Sequence, residues 1–168
     1  MSIDIDIFDD DIPDDVRAML GEDEDDMDRA EQEQRLIAAV AAAPDNLALR
    51  IAAYAFYFYD SRLQEAIPHG DACLALAARG LGIAEDWRQV SPESATFSGF
   101  ERPQRVYLKS LYALGYCWAR LGEDDIAEEM LRKAASLDPE DRVGATELAD
   151  LVARRAGRLP AAAEEDAG

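Results

Sequence analysis

The chain has 168 residues, 49% of them hydrophobic, with a formal net charge of -19 and a sequence pI of about 4.2. That length sustains one domain with a real core. So acidic a balance offers no basic field to attract nucleic acid or an anionic membrane, and both are excluded as expected partners.

The charge is uneven. Residues 1–28 hold thirteen acids against Arg17, residues 160–168 hold three acids and no base, and the body between them is close to neutral. A partner with a basic segment suits such a chain. No apolar run approaches the roughly 20 residues of a membrane span, and the start MSIDIDIFDDD lacks the basic and apolar regions of a signal peptide. Cys73 and Cys117 lie in apolar helical patterns with no Cys or His at metal-ligand spacing. They read as small buried hydrophobes in a reducing compartment. The expected location is the cytoplasm, and the richness in Ala, Arg and Asp suits a bacterial protein.

Residues 1–28 read as an acidic, largely disordered arm with too few apolar groups for a core. Ile3, Ile5 and Ile7 alternate with Asp4 and Asp6, a strand-like pattern able to extend a sheet edge on a partner. Pro13 to Leu20 carries the marks of a two-turn helix. Pro13 stands at its start, Asp14 and Asp15 complement its dipole, and Gly21 ends it. Ile12, Val16, Met19 and Leu20 share one face. Two readings stay open: a solvated tail, or a docking peptide for this protein's own groove or a partner's. The run Glu22 to Asp26 lacks the glycine and ligand spacing of a calcium loop and reads as a spacer.

The helical domain is expected over 29–159. Its first helix spans 29–43, with Asp28 and Glu31 placed for capping and Leu36, Ile37, Val40 and Ala41 as its apolar stripe. It stops at Pro44-Asp45-Asn46. A helix pair follows at 47–59 and 61–79, in which Ser61 and Gln64 have capping-box spacing. Pro68 should kink the second helix or delay its start. From Gly80 to Pro103 the pattern breaks. Gly80 and Gly82 suit a helix end, and SPESATFSGFERP has the composition of a loop. In this 81–103 insertion Trp87, Phe97 and Phe100 either pin the loop to the core or meet a partner.

The clearest pattern runs over 108–141, two short helices meeting at Gly122. Leu111, Leu114, Gly115 and Trp118 share one face of the first, and Ile126, Ala127, Met130, Leu131 and Ala134 one face of the second. Asp138 can cap a last helix over 139–156 with Pro139 at its first position. Val143, Leu148, Leu151 and Val152 would point inward there, with Arg142, Glu147, Asp150, Arg154 and Arg155 wet. Gly157 ends that helix, and 160–168 is a tail.

The spacing Leu111-x2-Leu114-Gly115-x2-Trp118, then Ala127-x3-Leu131, then Pro139, closely resembles the tetratricopeptide repeat (TPR), a helix-turn-helix unit of about 34 residues. Leu111 stands where that pattern most often has Trp. Small residues at Gly115 and Ala127 let two helices approach, and Leu114, Trp118 and Leu131 fill the volume around them. The 47–80 pair resembles a diverged repeat, with Tyr57 matching Trp118 and with Ala66, Cys73 and Leu74 in repeat-like places. There Tyr54 takes the place of Gly115 and Gly70 that of Leu131, so large and small are exchanged. The 29–43 helix resembles the second half of a degenerate repeat.

The expected architecture is all-α, a short TPR-like solenoid of helical hairpins with a capping helix at its end. The resemblance implies a protein-protein interaction module, an adaptor or chaperone-like protein. Stacked hairpins leave a concave surface lined by the first helix of each pair. Here it would offer Ile51, Ala55, Phe58, Tyr59 and Arg62, then Lys109, Tyr112, Tyr116 and Arg120, an aromatic groove with a basic edge. The run Tyr54 to Tyr59 either lines that groove or serves two packing faces. One TPR subclass grips C-terminal carboxylates with Lys and Asn at fixed places on the first helices; Tyr112 and Tyr116 occupy the matching places here, which departs from that subclass. Bacterial secretion chaperones with an apolar groove are the nearer analogy, and such a groove is in keeping with self-association. The competing reading is an acidic decoy acting through its arm on a basic partner. An enzyme is not expected. His69 is the sole histidine, and no nucleophile elbow, phosphate loop or zinc spacing is present; no cofactor or metal is implied.

Overall fold

Two links of only three residues, 60–62 and 121–123, make the helices they join fold back on each other. The computed structural model describes residues 12–21, 27–99 and 101–161, and all its regular elements there are helical. They are α1 (Asp14–Met19), α2 (Arg29–Ala42), α3 (Leu47–Tyr59), α4 (Leu63–Leu81), α5 (Arg102–Arg120), α6 (Asp124–Leu137) and α7 (Ala145–Arg155). Single 3-10 turns at Trp87–Gln89 and Phe97–Gly99 break the connection between α4 and α5. The fold is a stack of two helical hairpins, α3–α4 and α5–α6. They are joined where α4 packs on α5, with α2 against α3 and α7 against α6.

Both hairpins turn by one device. At the first, Arg62 N donates to Tyr57 O at 2.9 Å around Ser61, which has φ of +57°. At the second, Glu123 N donates to Trp118 O at 2.9 Å around Gly122, with φ of +83°. Each turn closes the end of its first helix with a left-handed residue. Ser61 is therefore the counterpart of Gly122 and not the N-cap expected from its spacing to Gln64; α4 begins two residues later, without a side-chain cap.

The exchange of large and small residues is realised in the packing. A Cβ on Gly115 would lie 2.6 Å from Leu131 Cγ, and one on Gly70 would lie 3.0 Å from Tyr54 Cε2 and 2.7 Å from Leu114 Cδ2. In each hairpin one glycine faces one large side chain, but from opposite helices. The core runs continuously from Val16 through α3, α4, α5 and α6 to Val152.

Local signals placed several boundaries well. Asp28 Oδ1 accepts from Glu31 N at 2.8 Å, and Gly82 and Gly157 end α4 and α7 with positive φ. Other expectations are corrected. The two-turn helix expected at Pro13–Leu20 within the arm is α1 (Asp14–Met19), and it is packed on the core and not solvated, with Val16 and Leu20 buried. Ile37 is 53% and Leu151 42% exposed, and Ala41 is exposed too, so the inward stripes of α2 and α7 are narrower than the periodicity suggested. Pro68 sits exposed inside α4 without interrupting it. α5 begins at Arg102, with Pro103 in its first turn, where a missing N–H costs nothing. Pro139 lies in a turn, and the last helix starts at Ala145 because buried Asp138 accepts from Val143 N at 3.0 Å and holds the intervening loop. Ile3, Ile5, Ile7, the run 22–26, Phe100 and the tail beyond residue 161 lie outside the described residues.

The insertion is pinned to the stack. Val90 and Phe97 are buried, Lys133 Nζ donates to Val90 O at 2.6 Å, and Arg142 donates to Ser98 O at 2.9 Å. Phe97 meets Tyr107 of α5 at a ring distance of 5.8 Å.

Ser61 carries a Cβ in a conformation that disfavours one by about 1–2 kcal/mol. Ser61→Gly should therefore raise the melting temperature, with a gain of roughly 1 kcal/mol after the extra backbone entropy of glycine is deducted. Thermal unfolding followed by circular dichroism reads the sign; a lower melting temperature would contradict the turn geometry.

Candidate interaction surface

The sequence of α3, LALRIAAYAFYFY, buries every residue from Ile51 to Phe58, so neighbours enclose this helix on several sides. At about 100° per residue each neighbour can be assigned a side. Toward α2, the Arg29 guanidinium lies 4.0 Å over the Phe56 ring and donates to Phe56 O. Toward α4, Tyr57 stacks on His69 at 5.6 Å and Arg50 Nη1 donates to His69 Nδ1 at 3.1 Å. Toward α5, Tyr54 OH meets Cys117 Sγ at 3.6 Å and Phe58 meets Tyr116 at a ring distance of 5.7 Å. Ile51, Ala52 and Ala55 are buried as well, and α1 packs on α3.

A polar cluster locks α2 to the first hairpin. Glu33 accepts two hydrogen bonds from Arg62, at 2.7 and 2.9 Å, and a third from Tyr57 OH at 3.1 Å. Arg62 also reaches Glu65 and lies over the Tyr57 ring. The Arg62 guanidinium holds the Glu33 carboxyl below its ordinary range, while burial and the Glu33 charge push Tyr57 up to about 12. Burial pushes the Cys73 thiol up to about 12 and the Cys117 thiol up to about 11, so neither is a ready nucleophile. Among the described residues no group of His, Cys, Asp or Glu is arranged to hold a metal ion, and no helix is long and apolar enough to cross a membrane.

The residues expected to line a groove separate into two sets. Phe58, Tyr59, Tyr116 and Arg120 come together: Phe58 touches both tyrosine rings, and Arg120 donates to Tyr116 OH at 2.7 Å. Arg62 and Arg120 border one cleft of about 370 Å³ at the turn between α3 and α4. Lys109 and Tyr112 are half-buried on α5, and Arg120 is exposed. Ile51 is a correction: it is fully buried and Ala55 nearly so, and Phe58 and Tyr116 are buried as well, which leaves Tyr59, Arg62, Lys109, Tyr112 and Arg120 as the more accessible of the set. On α5, Arg102, Arg105, Lys109, Tyr112, Tyr116 and Arg120 recur at helical spacing and form one basic-aromatic stripe along the side that meets Phe58.

Sequence reasoning did not find Glu33, Arg29 or the Arg50–His69 pair. Glu33 and Arg62 are 29 positions apart, and no local period relates them.

Because arginine can only donate, Nδ1 of His69 must accept, and burial together with the Arg50 charge lowers the imidazole pKa below its ordinary 6.5. The folded chain then binds fewer protons than the unfolded chain. Stability contributed at His69 is complete above pH 6.5 and is lost as pH falls from there through the depressed folded value. His69→Gln should flatten the decline in melting temperature between pH 7.5 and 5.5; an unchanged slope would show that His69 is not responsible.

No family model matches this chain, and no solved structure matches it. The chain is similar to an uncharacterized 19.8 kDa protein in the nifW 5' region of Azotobacter chroococcum mcd 1. The two are 30% identical over 130 residues, which cover 76% of this chain and 72% of that protein. The chain belongs to the family of that Azotobacter protein.

Proposed function

We propose that the chain is a protein-protein interaction module of TPR type that takes a segment of a partner protein along the α3–α5 side of its hairpin stack. The observation that carries this reading is the α5 stripe. Lys109, Tyr112, Tyr116 and Arg120 place cationic and aromatic groups in one line beside Phe58, and such groups supply contact area and carboxylate recognition. The TPR assignment is supported by the repeated hairpin turn at Ser61 and Gly122 and by the glycine-for-large-residue exchange between the hairpins. A non-enzymatic role is in keeping with the sole histidine being bound to Arg50 and with both thiols being buried and raised in pKa. The thirteen acids in residues 1–28 favour a second reading, regulation of a basic partner through the arm.

Site-resolved photo-crosslinking in cells separates the readings. A benzophenone side chain placed at Tyr112 or Arg120 should capture one protein that the same group at the exposed Ser136 of α6 does not. Lys109→Glu should abolish the capture while leaving the circular dichroism spectrum unchanged. Capture only from positions within residues 1–28 would assign binding to the arm and overturn the groove reading.

A further inference from the structure

Resting on that reading, we propose that α1 is an internal occupant of the α3–α5 groove, and that the partner displaces it with a segment of the same chemistry: a short amphipathic helix bearing two apolar residues four apart and an acidic first turn. The contacts of α1 describe that ligand. Val16 and Leu20, at i and i+4, are buried; Ile12 and Met19 pack half-buried against the core; Asp14 and Asp15 open the helix and stay exposed. With six residues, α1 is far below the roughly 12–15 at which an isolated helix becomes stable, so its helicity is supplied by the surface it lies on.

That surface suits a replaceable helix. By helical spacing Ile51, Ala52 and Ala55 centre on the side of α3 opposite the Tyr57 contact with α4, flanked by Phe56 and Phe58, and all three are buried. Two alanines there make a shelf on which a helix can lie close. The contacts of α1 that the structure describes are mainly apolar: buried Val16 and Leu20, half-buried Ile12 and Met19, and one exposed hydrogen bond from Arg35 of α2 to Met19 O at 3.3 Å. Gly21 follows with φ of +72°, and the Met27 side chain lies against it. α2, by contrast, is locked by Glu33, Tyr57 and Arg62. Arg102, Arg105 and Lys109 run along α5 on the groove side, which matches an acidic occupant. A tethered occupant competes at an effective concentration in the millimolar range, so a modest intramolecular contact is enough to keep weak ligands out.

The test uses the full chain and a fluorescein-labelled peptide of residues 12–21, read by fluorescence anisotropy. Val16→Asp/Leu20→Asp should undock α1, and the peptide should then bind at least ten-fold more tightly than to the wild type. Lys109→Glu on that background should weaken it again. A peptide with Asp14 and Asp15 replaced by Lys should bind at least ten-fold more weakly than the native one. Val16→Ser/Leu20→Ser provides a second undocked chain should the charged variant unfold, with circular dichroism confirming the fold. Equal affinity for wild-type and undocked chains, or no binding to a folded undocked chain, would overturn the proposal. If the peptide binds as expected but no partner crosslinks at Tyr112, the occupant stands and the interaction-module reading fails.

Discussion

Three helices meet at Gly70, and the arrangement of the stack depends on that meeting. Tyr54 of α3 and Leu114 of α5 both come so near that a Cβ on Gly70 of α4 would collide with them. The first contact closes a hairpin; the second joins that hairpin to the next. Interiors packed at crystalline density leave little room for adjustment, so the missing side chain sets how closely the two hairpins approach. Gly115 does the corresponding work inside the second hairpin, against Leu131. Because the pairs are inverted, the two hairpins fill similar volume with different residues.

That close approach encloses α3. Its aromatic run serves α2, α4 and α5 together, through Phe56, Tyr57 and Phe58. The enclosure is polar at one edge, where Glu33 satisfies both Arg62 and Tyr57, and apolar at the other, where α1 lies. These edges differ in kind. A charge-assisted, partly buried pair is geometrically exacting and resists replacement. An apolar face accepts any helix of similar shape, which is why exchange is assigned to α1 and not to α2.

Most of the fold was legible because its signals are local. Helical periodicity, the Asp28 cap and the glycines at 82, 122 and 157 act within a turn or two of the chain, and they located α2, α3 and α6 and the end of α5 closely, while α5 begins six residues before the expected 108. Ser61 and Pro139 misled because each obeys a local rule that the tertiary structure overrides. Ser61 takes a left-handed turn position that glycine takes in the second hairpin, and Asp138 binds Val143 N in place of starting a helix at Pro139. The site was half legible. Spacing grouped Phe58, Tyr116 and Arg120, and these three do converge. Periodicity could not tell that Ile51 is fully buried, or that α1, distant in the chain, packs on α3. Nor could it pair Glu33 with Arg62, since that contact exists only once α2 lies against the first hairpin.

A removable α1 must be able to open on its own while the hairpin stack stays folded. Native-state hydrogen exchange at amide resolution on the wild-type chain tests it most directly. Amides of α1 should exchange through local opening, at least a hundred-fold faster than those of Ile51 to Phe58 in α3, whose exchange should require global unfolding. Protection of α1 equal to that of α3 would mean that the two open only together. α1 would then be an integral part of the core, and the groove would not be available to any partner.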